Sequence, residues 1–114
     1  MDVVKFEKYK AIVRRIVENI AKQGGAVPDE DVIIIIDDAG GHYVLFNNGW
    51  EGSRRHYGCY LHIDVHADGK VWLQHDGTDE KVALQLTDAG IEPSDIVLAF
   101  HPPAFRTNTE LALA

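Results

Sequence analysis

Tyr57-Gly58-Cys59-Tyr60-Leu61-His62-Ile63-Asp64-Val65-His66 is the stretch whose reading decides the fold. Alternation with period two predicts a half-buried strand, with Tyr57, Cys59, Leu61, Ile63 and Val65 on one face. His56, Tyr60, His62, Asp64 and His66 fall on the other. Ala67-Asp68-Gly69 then turns the chain onto a second strand, Lys70–Asp76. A two-residue Asp-Gly loop would set Val65 against Trp72. A type I turn with Gly69 as a left-handed bulge residue instead sets Val65 against Val71 and Ile63 against Leu73. The second register keeps the apolar residues together, so it is the one expected. It places His62 against Gln74, Asp64 against Trp72 and His66 against Lys70.

Working outward, Val32–Asp37 reads as an apolar strand, Asp38-Ala39-Gly40-Gly41 as a turn, and His42–Asn47 as a strand running on towards Trp50. Glu51-Gly52-Ser53 turns again. Residues 1–25 read as one amphipathic helix, with Phe6, Tyr9, Ile12, Val13, Ile16, Val17 and Ile20 forming its apolar stripe. Asp2 is its expected cap, Gly24-Gly25 its stop, and its basic residues are expected to face solvent. After a polar loop containing Pro28 the strands begin. Beyond them, Thr78 is expected to cap a second helix through Asp79-Glu80, with Val82, Leu86 and Ala89 inward and Gly90 at its end. Ile96–Phe100 reads as a fifth strand stopped by Pro102-Pro103. Phe105–Ala114 has no decisive pattern. The expected class is α+β in a single domain over 1–114: helix, four-stranded antiparallel meander, helix, fifth strand, with the helices packed on one face of the sheet.

The chain has 114 residues, enough for a core without disulfide or metal staples. Eleven Lys and Arg against eighteen Asp and Glu give a net charge of -7. The first 25 residues hold six basic and three acidic side chains, and the remaining 89 hold five and fifteen, so +3 sits on the first helix and -10 on the body. That balance excludes a dedicated polycation for phosphate backbones. The lone Cys59 is expected to be reduced and buried. Basic residues interrupt the first fifteen positions, and the longest apolar run is Val32 to Ile36. Neither a leader nor a membrane span is expected, and a cytoplasmic address follows.

Six histidines invite a metal test. His62 and His66 stand roughly 13 Å apart along the strand, too far to share an ion. His62 and Asp64 are close enough but need a third donor from a neighbouring strand, where the expected neighbours, Gln74 and Trp72, are poor ligands. Neither metal nor cofactor is therefore expected. Cys59 on the face opposite His62 disfavours a Cys–His nucleophile. No G-x-S-x-G elbow, phosphate loop or H-E-x-x-H motif occurs. Asp37, Asp38, Asp64 and Asp76 could make a nuclease-like carboxylate set, although turns and strand ends often carry Asp. Trp50, Tyr57, Tyr60 and Trp72 beside Arg54-Arg55 could stack bases, but the acidity opposes a polyanion. A helix-free face carrying Tyr60, His62 and Trp72 reads better as a protein interface.

One long run carries a resemblance: Gly49-Trp50-Glu51-Gly52-Ser53-Arg54-Arg55-His56-Tyr57-Gly58-Cys59-Tyr60-Leu61-His62-Ile63-Asp64, then Asp68-Gly69-Lys70-Val71-Trp72-Leu73-Gln74-His75-Asp76-Gly77-Thr78. Asp95-Ile96-Val97-Leu98-Ala99-Phe100-His101-Pro102-Pro103, Arg106 and Thr109-Glu110-Leu111-Ala112-Leu113-Ala114 continue it. The chain closely resembles the XisI-like family, named for the fdxN-element excision controlling factor of filamentous cyanobacteria. The resemblance implies an accessory factor for programmed site-specific excision of a DNA element. It implies a companion excision factor of the XisH type, and no catalytic residues to carry over. The positions singled out for an interface are Trp50, Arg54, Arg55, Tyr57, Tyr60, His62, Asp64, Trp72, Gln74 and Asp76. The exposed aromatic face also offers a surface on which two copies could pair as a homodimer, second to the companion factor. Two other readings stay open: a metal-dependent DNA-processing enzyme at His62 and Asp64, and direct DNA binding through the first helix and Arg54-Arg55.

Overall fold

The computed structural model describes residues 3–24 and 31–101. Helix α1 (Val3–Lys22) precedes strands β1 (Asp31–Asp37), β2 (His42–Glu51), β3 (Arg54–Val65) and β4 (Val71–Asp76). Helix α2 (Val82–Asp88), a 3-10 turn at Pro93–Asp95 and strand β5 (Ile96–Leu98) follow. The sheet runs β1-β2-β3-β4-β5, antiparallel except for the parallel β4–β5 pair. This is the expected α+β meander, and no helix among the described residues is long and apolar enough to cross a membrane.

One face of the sheet is covered. Tyr9, Ile12, Val13, Ile16, Val17 and Ile20 of α1 and Val82 and Leu86 of α2 pack on Tyr43, Leu45, Leu61, Ile63, Val65, Val71, Leu73 and Ile96. The α1 stripe is the one its periodicity predicts. Its basic face is not wholly solvated, however. Lys10 is buried, donates 2.9 Å to the Asp38 carbonyl and pairs with Glu7, while Arg14 pairs with Asp38. Tyr43, deep in the core, donates its hydroxyl to the same Asp38 carboxylate at 2.9 Å. Lys5 pairs with Asp95 at 2.8 Å. These contacts fasten α1 to the β1–β2 turn and to the segment entering β5.

Four local expectations are corrected. The second helix begins at Val82 and not at Thr78, because Asp76 Oδ1 accepts both the Thr78 N–H and its hydroxyl. Such a local turn competes with helix formation. Strand β3 begins earlier than expected, at Arg54, and β5 stops at Leu98, short of Phe100. The largest difference is a bulge in β3. Leu45 faces Leu61 but Phe46 faces Cys59, so Tyr60 is an extra residue and the alternation flips there. Tyr60 therefore packs against the core on the helix side, whereas Cys59 shares the open face with His62. Tyr57, set against Asn48, lies on the open face and is 64% exposed. Asp2, Gly25, Pro28, Pro102-Pro103 and the segment from Phe105 lie outside the described residues.

Candidate functional site on the open sheet face

The face away from the helices has two clusters. Each is set by strand register. At the β2–β3 hairpin end, Trp50 stands opposite Arg55. The Arg55 guanidinium lies 5.3 Å from the Trp50 ring centre and 4.9 Å from that of Tyr57. Arg55 also donates to the Gly49 carbonyl (3.0 Å) and to Asn48 Oδ1 (2.7 Å), so its fork is spent within its own hairpin. Phe46 continues the aromatic patch, 6.1 Å from Tyr57. Trp50 is 57% exposed. Beside it, Asp31, Asn48, Gly49 and Gly52 line an open pocket with Arg55.

At the other end of the same face, three donors converge. Asp64 faces His42 across the strands, and His62 stands two residues earlier on the same side. His42 Nδ1 and His62 Nε2 each lie 2.8 Å from Asp64 Oδ1. A carboxylate only accepts, so the ring protons sit on those two nitrogens. Gln74 Nε2 donates to the other oxygen, Oδ2, at 3.2 Å. Burial pushes the Asp64 carboxyl up, but the bonds from His42 and His62 outweigh it and hold it below the usual value. The bond to Asp64 in turn raises the His42 imidazole, against a smaller opposing effect of burial.

Gly41 holds this arrangement in place. Its φ is +75°, its N–H donates to Asp37 O and its carbonyl accepts from Val65 N–H. A Cβ there would meet the Val65 carbonyl oxygen at 2.3 Å. Only glycine lets the β1–β2 turn approach the end of β3 so closely, which fixes the strand start at His42 beside Asp64.

The residues singled out by sequence thus separate into groups. Trp50, Arg55 and Tyr57 come together, with Arg54 exposed at the hairpin end against Glu51. His62, Asp64 and Gln74 come together at the other end. Asp64 lies against Trp72 as expected, and Trp72 stacks on His66 at 5.1 Å. His62 faces His75 and not Gln74, because a second bulge makes Gln74 the extra residue of β4. Asp76 serves the Thr78 turn, Tyr60 lies on the helix side, and Asp37 and Asp38 flank the β1–β2 turn, so the four aspartates do not form one carboxylate set. Cys59 is free and half-buried rather than fully buried, its thiol pushed up by burial. Sequence reasoning missed His42, whose position opposite Asp64 depends on the Tyr60 bulge.

The comparisons agree with this architecture. A solved XisI-like protein from Anabaena variabilis superposes with a TM-score of 0.86 at 36% identity, the match covering 96% of this chain and 99% of that one. The fdxN element excision controlling factor XisI from Anabaena variabilis matches at 30% identity and a TM-score of 0.82, with the same coverage. A comparison with curated proteins found no match. The family model described as XisI protein matches residues 1–113, and the chain belongs to that family.

Proposed function

We propose that this chain is an accessory controlling factor for excision of a DNA element, working in the cytoplasm by contact with a companion excision factor of the XisH type rather than by catalysis. The observation that carries this reading is the uncovered sheet face, on which Trp50 and Tyr57 stand exposed beside Ile33 and Ile35 of β1. Aromatic residues on an open surface are the usual anchors of a protein interface. A net charge of -7 suits a basic partner surface and speeds encounter with it. The family, whose solved member is named an excision controlling factor, supplies the context.

Direct DNA binding through α1 and Arg54-Arg55 is the weaker reading. Lys5, Lys10, Arg14 and Arg55 are all engaged in internal pairs or hydrogen bonds. Phosphate contact would have to displace them. Pairing of two copies through the open face is a competing use of the same surface.

Co-purification of the two proteins at low salt tests the proposal. The intact pair is expected to associate. A Trp50→Ala, Tyr57→Ala double variant is expected to weaken association by at least about tenfold, with its urea midpoint unchanged. Absence of association between intact proteins at low salt overturns the reading, and a doubled mass of this chain alone by light scattering assigns the face to a homodimer.

A further inference from the structure

The open face carries a second feature that the interface reading leaves unused. We propose that His42, His62 and Asp64 form a binding site for one divalent transition-metal ion of the zinc class. Among the described residues this is the one group of three or more His, Cys, Asp or Glu whose donor atoms gather so closely, all within 4.8 Å of one another. Two adjacent strands supply it, so the spacing is set by hydrogen-bonded register rather than by loop conformation.

The geometry is close to what coordination needs. Zinc takes imidazole nitrogen and carboxylate oxygen at about 2.0–2.2 Å, which separates ligand atoms in a tetrahedral set by roughly 3.3 Å. The two N···O separations are 2.8 Å, so each must open by about half an ångström, a side-chain adjustment. On binding, each ring would move the proton now facing Asp64 to its other nitrogen. Gln74, already donating to Asp64 Oδ2, holds the carboxylate in the manner of an outer-shell partner. Asp64 is almost fully buried, while the side chains of His42 and His62 are 54% and 33% exposed. An ion would therefore sit over a buried anion with its remaining coordination positions towards solvent. Val44, opposite His62, and Trp72, opposite Asp64, flank the site with apolar surface.

The donor set selects the ion. Two imidazoles and one carboxylate favour Zn2+, Co2+ or Ni2+ over Mg2+ and Ca2+, which require oxygen-rich shells. The same three residues without metal make a hydrogen-bonded cluster, and only a binding measurement separates the two states.

The test is calorimetric titration of the chelator-treated chain with Zn2+ alone, together with visible absorption on titration with Co2+. The expected result is one ion per chain at about micromolar affinity or tighter, and a Co2+ spectrum of low coordination number. His42→Gln and Asp64→Asn are each expected to lower affinity by at least about 100-fold, and Gln74→Leu by about 10–100-fold at unchanged stoichiometry. His101→Ala, which is not among the three ligands, is expected to bind as the parent does. Circular dichroism of each variant confirms that it folds, and His62→Gln replaces any that does not. Failure of the parent chain to bind Zn2+ or Co2+ overturns the proposal, as does unchanged binding in folded His42→Gln and Asp64→Asn. The measurement uses this chain alone, so its outcome is independent of the companion factor.

Discussion

Asp64 and Asp95 are both 7% exposed, both belong to the same sheet system, and both carboxyls are held below their ordinary range. They differ in what surrounds them. Asp95, on the helix side, accepts from the Tyr9 hydroxyl at 2.6 Å and pairs with Lys5 at 2.8 Å. Asp64, on the open side, is held by two imidazoles and an amide. A lysine is a permanent cation at physiological pH, and its bond ties α1 to the chain entering β5. Histidines are neutral or charged according to conditions, and they are metal donors. A buried carboxylate with a fixed cationic partner acts as a fastener. One ringed by titratable donors at a surface can change its partner. The same contrast runs through the apolar residues: the covered face is closed by two helices, whereas the open face leaves Trp50, Tyr57, Ile33 and Ile35 in contact with water.

Truncation of the core gives the largest separation between the faces. Leu61→Ala, fully buried under the helices, is expected to cost about 2–5 kcal/mol in urea unfolding. Val44→Ala, half-buried on the open face beside it, is expected to cost about 1 kcal/mol or less. Equal losses would mean that the open face is closed by something and is not an available surface.

Removing the fastener comes next. Asp95→Ala takes away the acceptor of the Tyr9 hydroxyl and the carboxylate that pairs with Lys5 at 2.8 Å. Breaking a desolvated pair costs about 3–5 kcal/mol, and because the Lys5 side chain keeps 34% of its exposure, about 2–3 kcal/mol is expected. Asp64→Asn in metal-free protein retains part of its hydrogen bonding and is expected to cost about 1 kcal/mol. A larger loss at Asp64 than at Asp95 would reverse the assignment of the two carboxylates.

That much of this contrast escapes the sequence has a specific cause. The α1 stripe, the Gly69 turn and the Val65–Val71 register are local patterns, and period and turn chemistry give them directly. Bulges are not local. Counting back from the Glu51–Arg54 turn without one would pair His42 with Ile63 and Leu45 with Tyr60, and it would send His42 into the core. Only the mismatch between those apolar and polar partners signals that an extra residue must intervene. The site needs that extra residue: with Tyr60 bulged out of the ladder, His42 meets Asp64. Looking for the third donor on β4 alone, where Trp72 and Gln74 stand, overlooked the strand on the other side. The internal use of Lys10 and Arg14 was equally hidden, because a basic helix face looks the same whether it meets water or an aspartate from a distant turn.

Acid tests the covered face. Burial pushes the Asp95 carboxyl up, but Lys5 and Tyr9 overcome it and hold it down. A depressed folded value contributes stability that is present above the unfolded carboxylate value, about 3.9, and is lost as pH falls through the folded one. Asp95→Asn should therefore flatten the acid limb of a stability–pH curve below about pH 4. An unchanged acid limb would show that the Lys5–Asp95 pair is screened and does not fasten the helix.

The smallest expected effect lies on the open face and has the opposite sign. His42 is raised by its bond to Asp64, with burial opposing. A raised folded value contributes stability that is complete below the unfolded imidazole value, about 6.5, and is lost as pH climbs through the folded one. Because His42 is more than half exposed, solvent screening limits the loss to under about 1 kcal/mol between pH 6 and 8 in metal-free protein. His42→Gln should remove that slope and, because the His42 bond helps hold the Asp64 carboxyl down, also shrink the part of the acid limb that Asp64 contributes, leaving the part due to Asp95. Were the slope to persist in His42→Gln, the alkaline sensitivity would belong to another group, and Asp64 would differ from Asp95 in its neighbours without differing in its response.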